Sequence, residues 1–205
     1  MARSLTSIVK MSRREGYALH PKAHKALIKR TAKPGQQGRG NMRAKTSQYS
    51  LQLREKQKVK RLYGLLEKQF SNMMKEASKK QGQSGELLLI NLERRLDNAV
   101  YRAGFAPSRQ AARQLVTHGH FMLNGTRVDI PSIRTKVGDE LVLRPKSVTN
   151  EYFKKMDDIS PVPSIIPDWL KANRKKFEIK ISGLPTREDV EPDINEQLIV
   201  EYYSR

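Results

Sequence analysis

The stretch SRQAARQLVTHGHFMLNG, Ser108 to Gly125, reads as a short amphipathic helix that stops at a glycine and runs directly into a strand. Ser108, behind Pro107, is a natural N-cap, because its hydroxyl can accept one of the orphan N–H groups of the first helical turn. Ala111, Ala112, Leu115 and Val116 recur at helical spacing and make the apolar arc, and Gly119 ends the helix. Phe121-Met122-Leu123 enters a strand, Asn124-Gly125 is a strong hairpin signal, and Arg127-Val128-Asp129-Ile130 returns. A further strand, Glu140 to Leu143, follows Val137-Gly138-Asp139. Arg109 and Arg113 lie four apart at the edge of the apolar arc, with His118, His120 and Asn124 close by in sequence. Guanidinium forks fit phosphates bidentately, and the loop and turn add further donors. A rigid small helix joined to a hairpin suits structured RNA, which is recognised by shape and backbone because its deep major groove excludes a reading helix. DNA readers present a longer recognition helix.

Upstream, Ser84 caps a second helix expected to run to about Ala103, with Leu89, Leu92, Leu96, Ala99, Val100 and Ala103 inward and Gly104 as its stop. That arrangement leaves Arg94, Arg95 and Arg102 on its outer surface. Two helices on a small antiparallel sheet are therefore expected over 92–146. The longest helical pattern covers residues 50–78, where Val59, Leu62, Tyr63, Leu66, Phe70, Met73, Met74 and Ala77 share one face. On the opposite face Arg54, Lys58, Arg61 and Lys68 form a stripe with almost no acid near it, which would repel itself unless phosphates lay against it. In the closing DINEQLIVEYYSR, Ile194, Leu198 and Tyr202 recur every four residues, so a terminal helix is expected to dock on the 50–78 helix. The fold class is α+β.

The charge distribution points the same way. The 205 residues carry a formal net charge of +19 and no cysteine, which excludes disulfides and thiolate metal sites. No apolar run approaches the ~20 residues of a membrane span. Residues 1–61 hold 17 Lys/Arg against two Asp/Glu, whereas residues 147–205 hold nine against 11. Such an excess in a chain of this kind indicates a polyanion partner. Residues 1–45 have no sustained apolar period and contain KPGQQGRGNMRAK, so an extended basic arm is expected there. The opening MARSLTSIVKMSRR also has the composition of an organellar transit peptide, which keeps an organellar location as the minority alternative to a cytoplasmic one.

LERRLDNAVYRAGFAPSRQAARQLVTHGHFMLNGTRVDIPS closely resembles the RNA-binding domain named after bacterial small-subunit ribosomal protein four. MAR at the start, KMSRREG (10–16), PGQQG (34–38), YSLQLREKQKVKRLYGLLEKQF (49–70) and DINEQLIVEYYSR (193–205) extend the resemblance to that ribosomal protein family over nearly the whole chain. The resemblance implies a non-enzymatic constituent of the small subunit, without a cofactor, that binds the 5′ region of its ribosomal RNA and nucleates assembly. It also implies contact with ribosomal protein five, an influence on decoding accuracy, and a place near the channel through which messenger RNA enters. It implies a helical domain (46–91 with 185–205), an inserted RNA-binding α/β domain (92–184, core motif 92–146) and a basic N-terminal extension (1–45). The RNA-facing candidates are Arg3, Arg13, Arg14 and Lys45 in the extension and Arg54, Lys58, Arg61 and Lys68 on the basic helix. In the inserted domain they are Arg94, Arg95, Arg102, Ser108, Arg109, Arg113, His118, His120, Asn124 and Arg127. The acids Glu196 and Glu201 are the candidate protein-partner surface. Some relatives hold zinc with cysteines in the arm; this chain has none.

Other readings are weaker. Arg95-Leu96-Asp97 mimics a pseudouridine synthase signature, but within an amphipathic helix a structural Asp pairing a neighbouring Arg is the better expectation. An RNA-modifying enzyme would need a separate catalytic domain that the 59 residues after 146 cannot supply. A free RNA chaperone or repressor remains distinguishable by co-sedimentation. His20 and His24 are four apart but lack a third ligand. Trp169, the only tryptophan, is expected to pack with Ile165, Ile166 and Leu170 rather than stack on a base.

Overall fold

The computed structural model describes residues 6–36, 38, 46–163 and 165–204. It divides into two compact units, one formed by the chain up to Leu88 with Pro192 onward, the other by Leu89–Glu191. No helix among the described residues is long and apolar enough to cross a membrane.

The first unit is helical. Helices α1 (Ile8–Glu15) and α2 (Pro21–Lys29) stand where an extended arm was expected. Their cores are small: Met11, Leu19 and Ala23 are buried, and the Ser12 hydroxyl, itself buried, donates to Ile8 O and accepts from Leu19 N–H at 3.3 Å. Arg3 and Lys45 lie outside the described residues, as does most of the glycine-rich stretch around residue 40.

The single helix expected over 50–78 is two, α3 (Gln48–Leu62) and α4 (Glu67–Ser78). Gly64 causes the break. It takes φ +65°, its N–H bonds to Arg61 O at 3.1 Å, and the Leu65 N–H reaches back to Lys60 O at 2.9 Å. That pair of bonds is a Schellman termination, which a glycine makes cheaply. The apolar face survives the break: Val59, Leu62, Tyr63, Phe70, Met73, Met74 and Ala77 are buried and Leu66 is half-buried. The terminal helix, numbered α11 below (Glu196–Tyr203), packs on α3. Its buried face is centred on Ile199, with Ile194 just before the helix, while Leu198 is only half-buried. Of the expected stripe Ile194 is buried and Tyr202 is half-buried with Lys56 Nζ of α3 4.4 Å from its ring centroid, and Asn195 caps the helix, its Oδ1 accepting from Gln197 and Leu198 N–H.

Helix α5 (Ser84–Glu93) begins in the first unit and ends in the second. The expected helix to Ala103 breaks after it, and α6 (Leu96–Arg102) starts afresh. Arg95 between them has extended backbone (φ −66°, ψ 140°) and bridges Arg134 as a strand residue would. Helix α7 (Arg109–Thr117) is capped by Ser108, whose Oγ accepts from Ala111 N–H at 3.2 Å. Strands β1 (Phe121–Leu123) and β2 (Thr126–Val128) form the hairpin, with φ positive at both Asn124 and Gly125 as a tight primed turn requires.

The sheet is larger than residues 92–146 alone provide. Strand β3 (Glu140–Leu143) is followed by short helices α8 (Pro145–Val148), α9 (Glu151–Lys154) and α10 (Met156–Ile159), then by β4 (Leu170–Asn173) and β5 (Glu178–Ile181). The five antiparallel strands lie in the order β2-β1-β3-β5-β4. A continuous core joins α6, α7 and the sheet around Leu96, Val100, Phe105, Phe121, Leu141 and Ile179. Trp169 is buried in it as expected, but Ile165 is 81% exposed.

Candidate nucleic-acid interface

The cationic side chains singled out by sequence fall into two groups, those held by carboxylates of the same unit and those that are not. On α3, Arg54 donates to Glu15 Oε1 at 3.2 Å and Arg61 donates to the same oxygen. The Glu15 side chain is fully buried, and burial raises its carboxyl above the ordinary value even against the two guanidiniums. Lys58 pairs with Glu55 at 2.7 Å and donates to Asp193 O at 2.6 Å, which places it in the docking of α11. Next to it Lys56, 3% exposed, donates to Glu67 at 2.7 Å and lies 4.4 Å from the Tyr202 ring centroid. Lys60 and the Tyr203 hydroxyl also donate to Glu67. Burial alone would raise the Glu67 carboxyl, but these donors hold it down at about 2. Lys68 is exposed, Arg13 donates to Ala32 O, and Arg14 is exposed beside Glu15.

In the second unit the arginines expected on an outer helical surface are mostly drawn inward. Arg95 is 4% exposed and forks onto Asp97, with Nε–Oδ1 3.0 Å and Nη2–Oδ2 2.7 Å. This is the structural Arg–Asp pair expected of the sequence, and it is possible because the chain turns at Arg95 instead of continuing as helix. Arg102 forks onto the buried Glu93 at 3.0 and 2.8 Å and reaches Glu191 at 3.3 Å. Arg109 donates to Asn98 Oδ1 and Glu191 Oε1, both at 2.8 Å, and its guanidinium lies 4.7 Å from the Tyr101 ring centroid. Burial pushes the Glu191 carboxyl up, but Arg109 and Arg102 pull it further down, leaving it below its ordinary value. Arg113 stands 3.7 Å from Asp97, and Arg94 donates to Thr135 O at 3.0 Å and is half-buried.

A second cluster surrounds Gly119, at the junction of α7 and β1. The Arg127 guanidinium lies directly on it: a Cβ there would come within 2.6 Å of Arg127 Nε, and φ of +69° disfavours a side chain anyway. Arg144 directs Nη1 to Gly119 O at 3.5 Å, and its backbone N–H bonds to His120 O at 2.8 Å. His118 is exposed with its ring centroid 5.9 Å from that of His120. His120 Nδ1 lies 3.0 Å from Ser147 Oγ, and burial, then His118 and Arg144, push its pKa down, so it is a neutral hydrogen-bonding group at pH 7. Asn124 is spent on structure, donating to Asp139 and accepting from Glu140 N–H at 2.9 Å. Sequence reasoning missed Arg144. The signal was the pairing of β1 with β3, because Phe121 opposite Leu143 sets residue 144 against residue 120.

The acids Glu196 and Glu201 were expected to face a partner. Glu201 is exposed but accepts from Gln52 Nε2 at 2.7 Å, and Glu196 is half-buried against Gly85, where a Cβ would come within 2.9 Å of its side chain. His20 caps α2, its Nδ1 accepting from Lys22 N–H at 3.0 Å, and no group of metal ligands is present among the described residues.

Residues 3–93 match the family described as Ribosomal protein S4/S9 N-terminal domain, and residues 94–141 match the S4 domain. The chain is 50% identical over 211 residues to the small ribosomal subunit protein uS4 of Clostridioides difficile strain 630, with all of both chains covered. Its identity is 50% to the uS4 of Chlorobaculum tepidum and 48% to that of Chloroflexus aurantiacus, each over 206 residues and again with both chains fully covered. Matches of that extent through both units show that the chain belongs to the uS4 family of small ribosomal subunit proteins.

Proposed function

We propose that the chain is a structural, RNA-binding constituent of the small ribosomal subunit, not an enzyme, and that it binds the 5′ region of the subunit's ribosomal RNA early and nucleates assembly. The observation that carries this reading is the way carboxylates are shared. Glu15 serves Arg54 and Arg61, Glu67 serves Lys56 and Lys60, and Asp97 serves Arg95 and Arg113. One negative charge between two positive ones fixes the cations without neutralising them, so each group keeps a positive field for phosphate. Around Gly119, Arg127 and Arg144 have no carboxylate partner among the described residues and are the favoured direct phosphate contacts. Arg3, Arg13, Arg14 and Lys45 in the N-terminal part and Lys68 and His118 elsewhere complete the proposed RNA-facing set. Contact with ribosomal protein five, an effect on decoding accuracy, and proximity to incoming messenger RNA belong to the same proposal, as does residence on cytoplasmic ribosomes.

The test is chemical footprinting of the purified chain on naked small-subunit RNA, beside the Arg127→Gln/Arg144→Gln variant. Protection confined to the 5′ region is expected, and the double variant should flatten the log–log salt dependence of binding by about 1.4–1.8, at 0.7–0.9 per lost phosphate contact. Diffuse protection across the RNA, or an unchanged slope, overturns the assignment.

A further inference from the structure

The segment from Met156 to Leu170 differs from the rest of the chain in both charge and covalent stiffness. It holds Asp157, Asp158 and Asp168 and neither a lysine nor an arginine, in a protein of net charge +19. Pro161, Pro163 and Pro167 fix φ near about −65° and push the residue before each of them into extended backbone.

The segment is anchored repeatedly to the core beneath it. Met156 and Trp169 are buried at its ends. The Ser160 hydroxyl donates to Gly104 O at 3.0 Å, its N–H donates to Met156 O at 2.7 Å, and its carbonyl accepts from Arg174 Nη2 at 2.6 Å. Pro163 closes on Gly104, where a Cβ would lie 2.4 Å from the proline Cδ. Pro167 is buried and its carbonyl accepts the Leu170 N–H at 3.0 Å. Between these anchors Ile159, Val162 and Ile165 are 41%, 64% and 81% exposed. Ile159 ends α10, and Val162 and Ile165 follow three apart in the proline-rich stretch, the spacing at which an extended chain of that kind presents side chains along one side.

We propose that this proline-stiffened ridge docks a second protein, one whose receiving surface is apolar and rimmed with lysine or arginine. Charge chooses the occupant. Asp157 is paired with Arg174 at 2.9 Å, but Asp158 and Asp168 are exposed carboxylates that repel phosphate, and branched aliphatic side chains offer no stacking platform for bases, so RNA is disfavoured. Another copy of this chain would bring a second net charge of +19 against the first. Because Ser160, Pro163 and Pro167 are already held by these anchors, little of their conformational freedom is lost when the ridge is covered.

The experiment replaces Val162, and separately Ile165, with a photoreactive benzoylphenylalanine in the full chain. Small subunits are reconstituted from purified RNA and purified proteins, irradiated, freed of RNA and analysed by mass, with yields counted per incorporated chain. Both positions should give an adduct to the same basic protein. Asp158→Lys combined with Asp168→Lys, at two exposed aspartates, should lower that yield by about tenfold or more while leaving RNA footprints unchanged. Adducts to RNA or to a second copy of the chain, no adduct in particles that contain the labelled chain, or a yield indifferent to the charge reversal would each overturn the proposal. A chain that footprints normally but gives no adduct would sink the ridge assignment alone and leave the RNA-binding reading standing.

Discussion

Replacing Arg102 with Met keeps an unbranched stem of similar reach and removes only the guanidinium. In the native unit that guanidinium forks onto Glu93 at 3.0 and 2.8 Å and extends to Glu191 at 3.3 Å. The Glu93 side chain is fully buried, so once Arg102 is gone its carboxylate keeps Asn98 Nδ2 at 2.8 Å and the Arg109 guanidinium at 3.9 Å. Breaking a buried pair from one side typically costs about 3–5 kcal/mol, because the remaining charge stays desolvated. The retained Asn98 and Arg109 contacts place the expected loss near the lower end, about 3 kcal/mol. Since a domain's whole margin is about 5–15 kcal/mol, the effect should dominate a melting curve. Trp169, the only tryptophan and buried in the same unit, reports urea unfolding of that unit without a label. Adding Glu93→Gln should restore much of the loss by removing the stranded charge, with the coupling read from the double-mutant cycle. A cost below about 1 kcal/mol, the level of an exposed ion pair, together with a salt slope flattened by about 0.7–0.9, would show that Arg102 is a phosphate ligand and not an internal tie.

Gly119→Ala forces a side chain into left-handed backbone and displaces the flexible Arg127 guanidinium, so it should destabilise the second unit by about 1–2 kcal/mol through the backbone and weaken RNA binding by moving Arg127. Calorimetry and filter binding check the two effects, and a neutral change in both would refute the proposed role of that junction. The pH dependence follows from Glu67, whose folded carboxyl is held at about 2 against an ordinary 4.5. A depressed folded pKa gives stability that is present above the ordinary value and disappears as pH falls through about 2. Glu67→Gln should therefore be less stable at neutral pH and lose less on acidification from 4.5 towards 2, as read by thermal melts across that range.

Periodicity told the sequence reader which residues go inside, because burial is a property of each helix or strand face taken alone. Leu89, Leu92, Leu96, Ala99, Val100 and Ala103 are all buried as the spacing requires, although the helix carrying them is broken at Arg95. The two helix breaks were harder to see. Gly64 was a local signal that the strong apolar face around it overrode, whereas the Arg95 turn depends on pairing with Arg134, which is remote in sequence. Strands β4 and β5 do alternate, as Leu170-Lys171-Ala172 and Ile179-Lys180-Ile181, but each is only four residues long, and pairing of β5 onto β3 and of β4 onto β5 is what makes them strands. Docking of the terminal helix on α3 was legible, but not that Ile199 would be its most buried residue.

The arginines were the least legible, and the reason is electrostatic. Whether a guanidinium in this chain faces RNA or its own fold depends on where the few carboxylates come to rest, and although Asp97 is two residues from Arg95, others lie far away in sequence. Glu15 meets Arg54 and Arg61 from 39 and 46 residues away, and Glu191 meets Arg102 and Arg109 from 89 and 82. In a polycation the scarce acids go where burial makes an unpaired cation most costly, which is beside the most enclosed guanidiniums. Cations at the rim are left without acid partners among the described residues, as Arg127 and Arg144 are around Gly119. Internal pairing and phosphate recognition are then one design. Carboxylates orient the enclosed arginines and secure the fold, and the surplus charge is concentrated on the rim residues that packing has already aimed outward. Adding an acid beside Arg127, for example Met122→Glu at the position paired with it across the hairpin, should lower RNA affinity with little effect on unfolding. Removing the acid from the Glu93–Arg102 pair should do the reverse, and unfolding and binding measured on both variants test whether the two sets are separate.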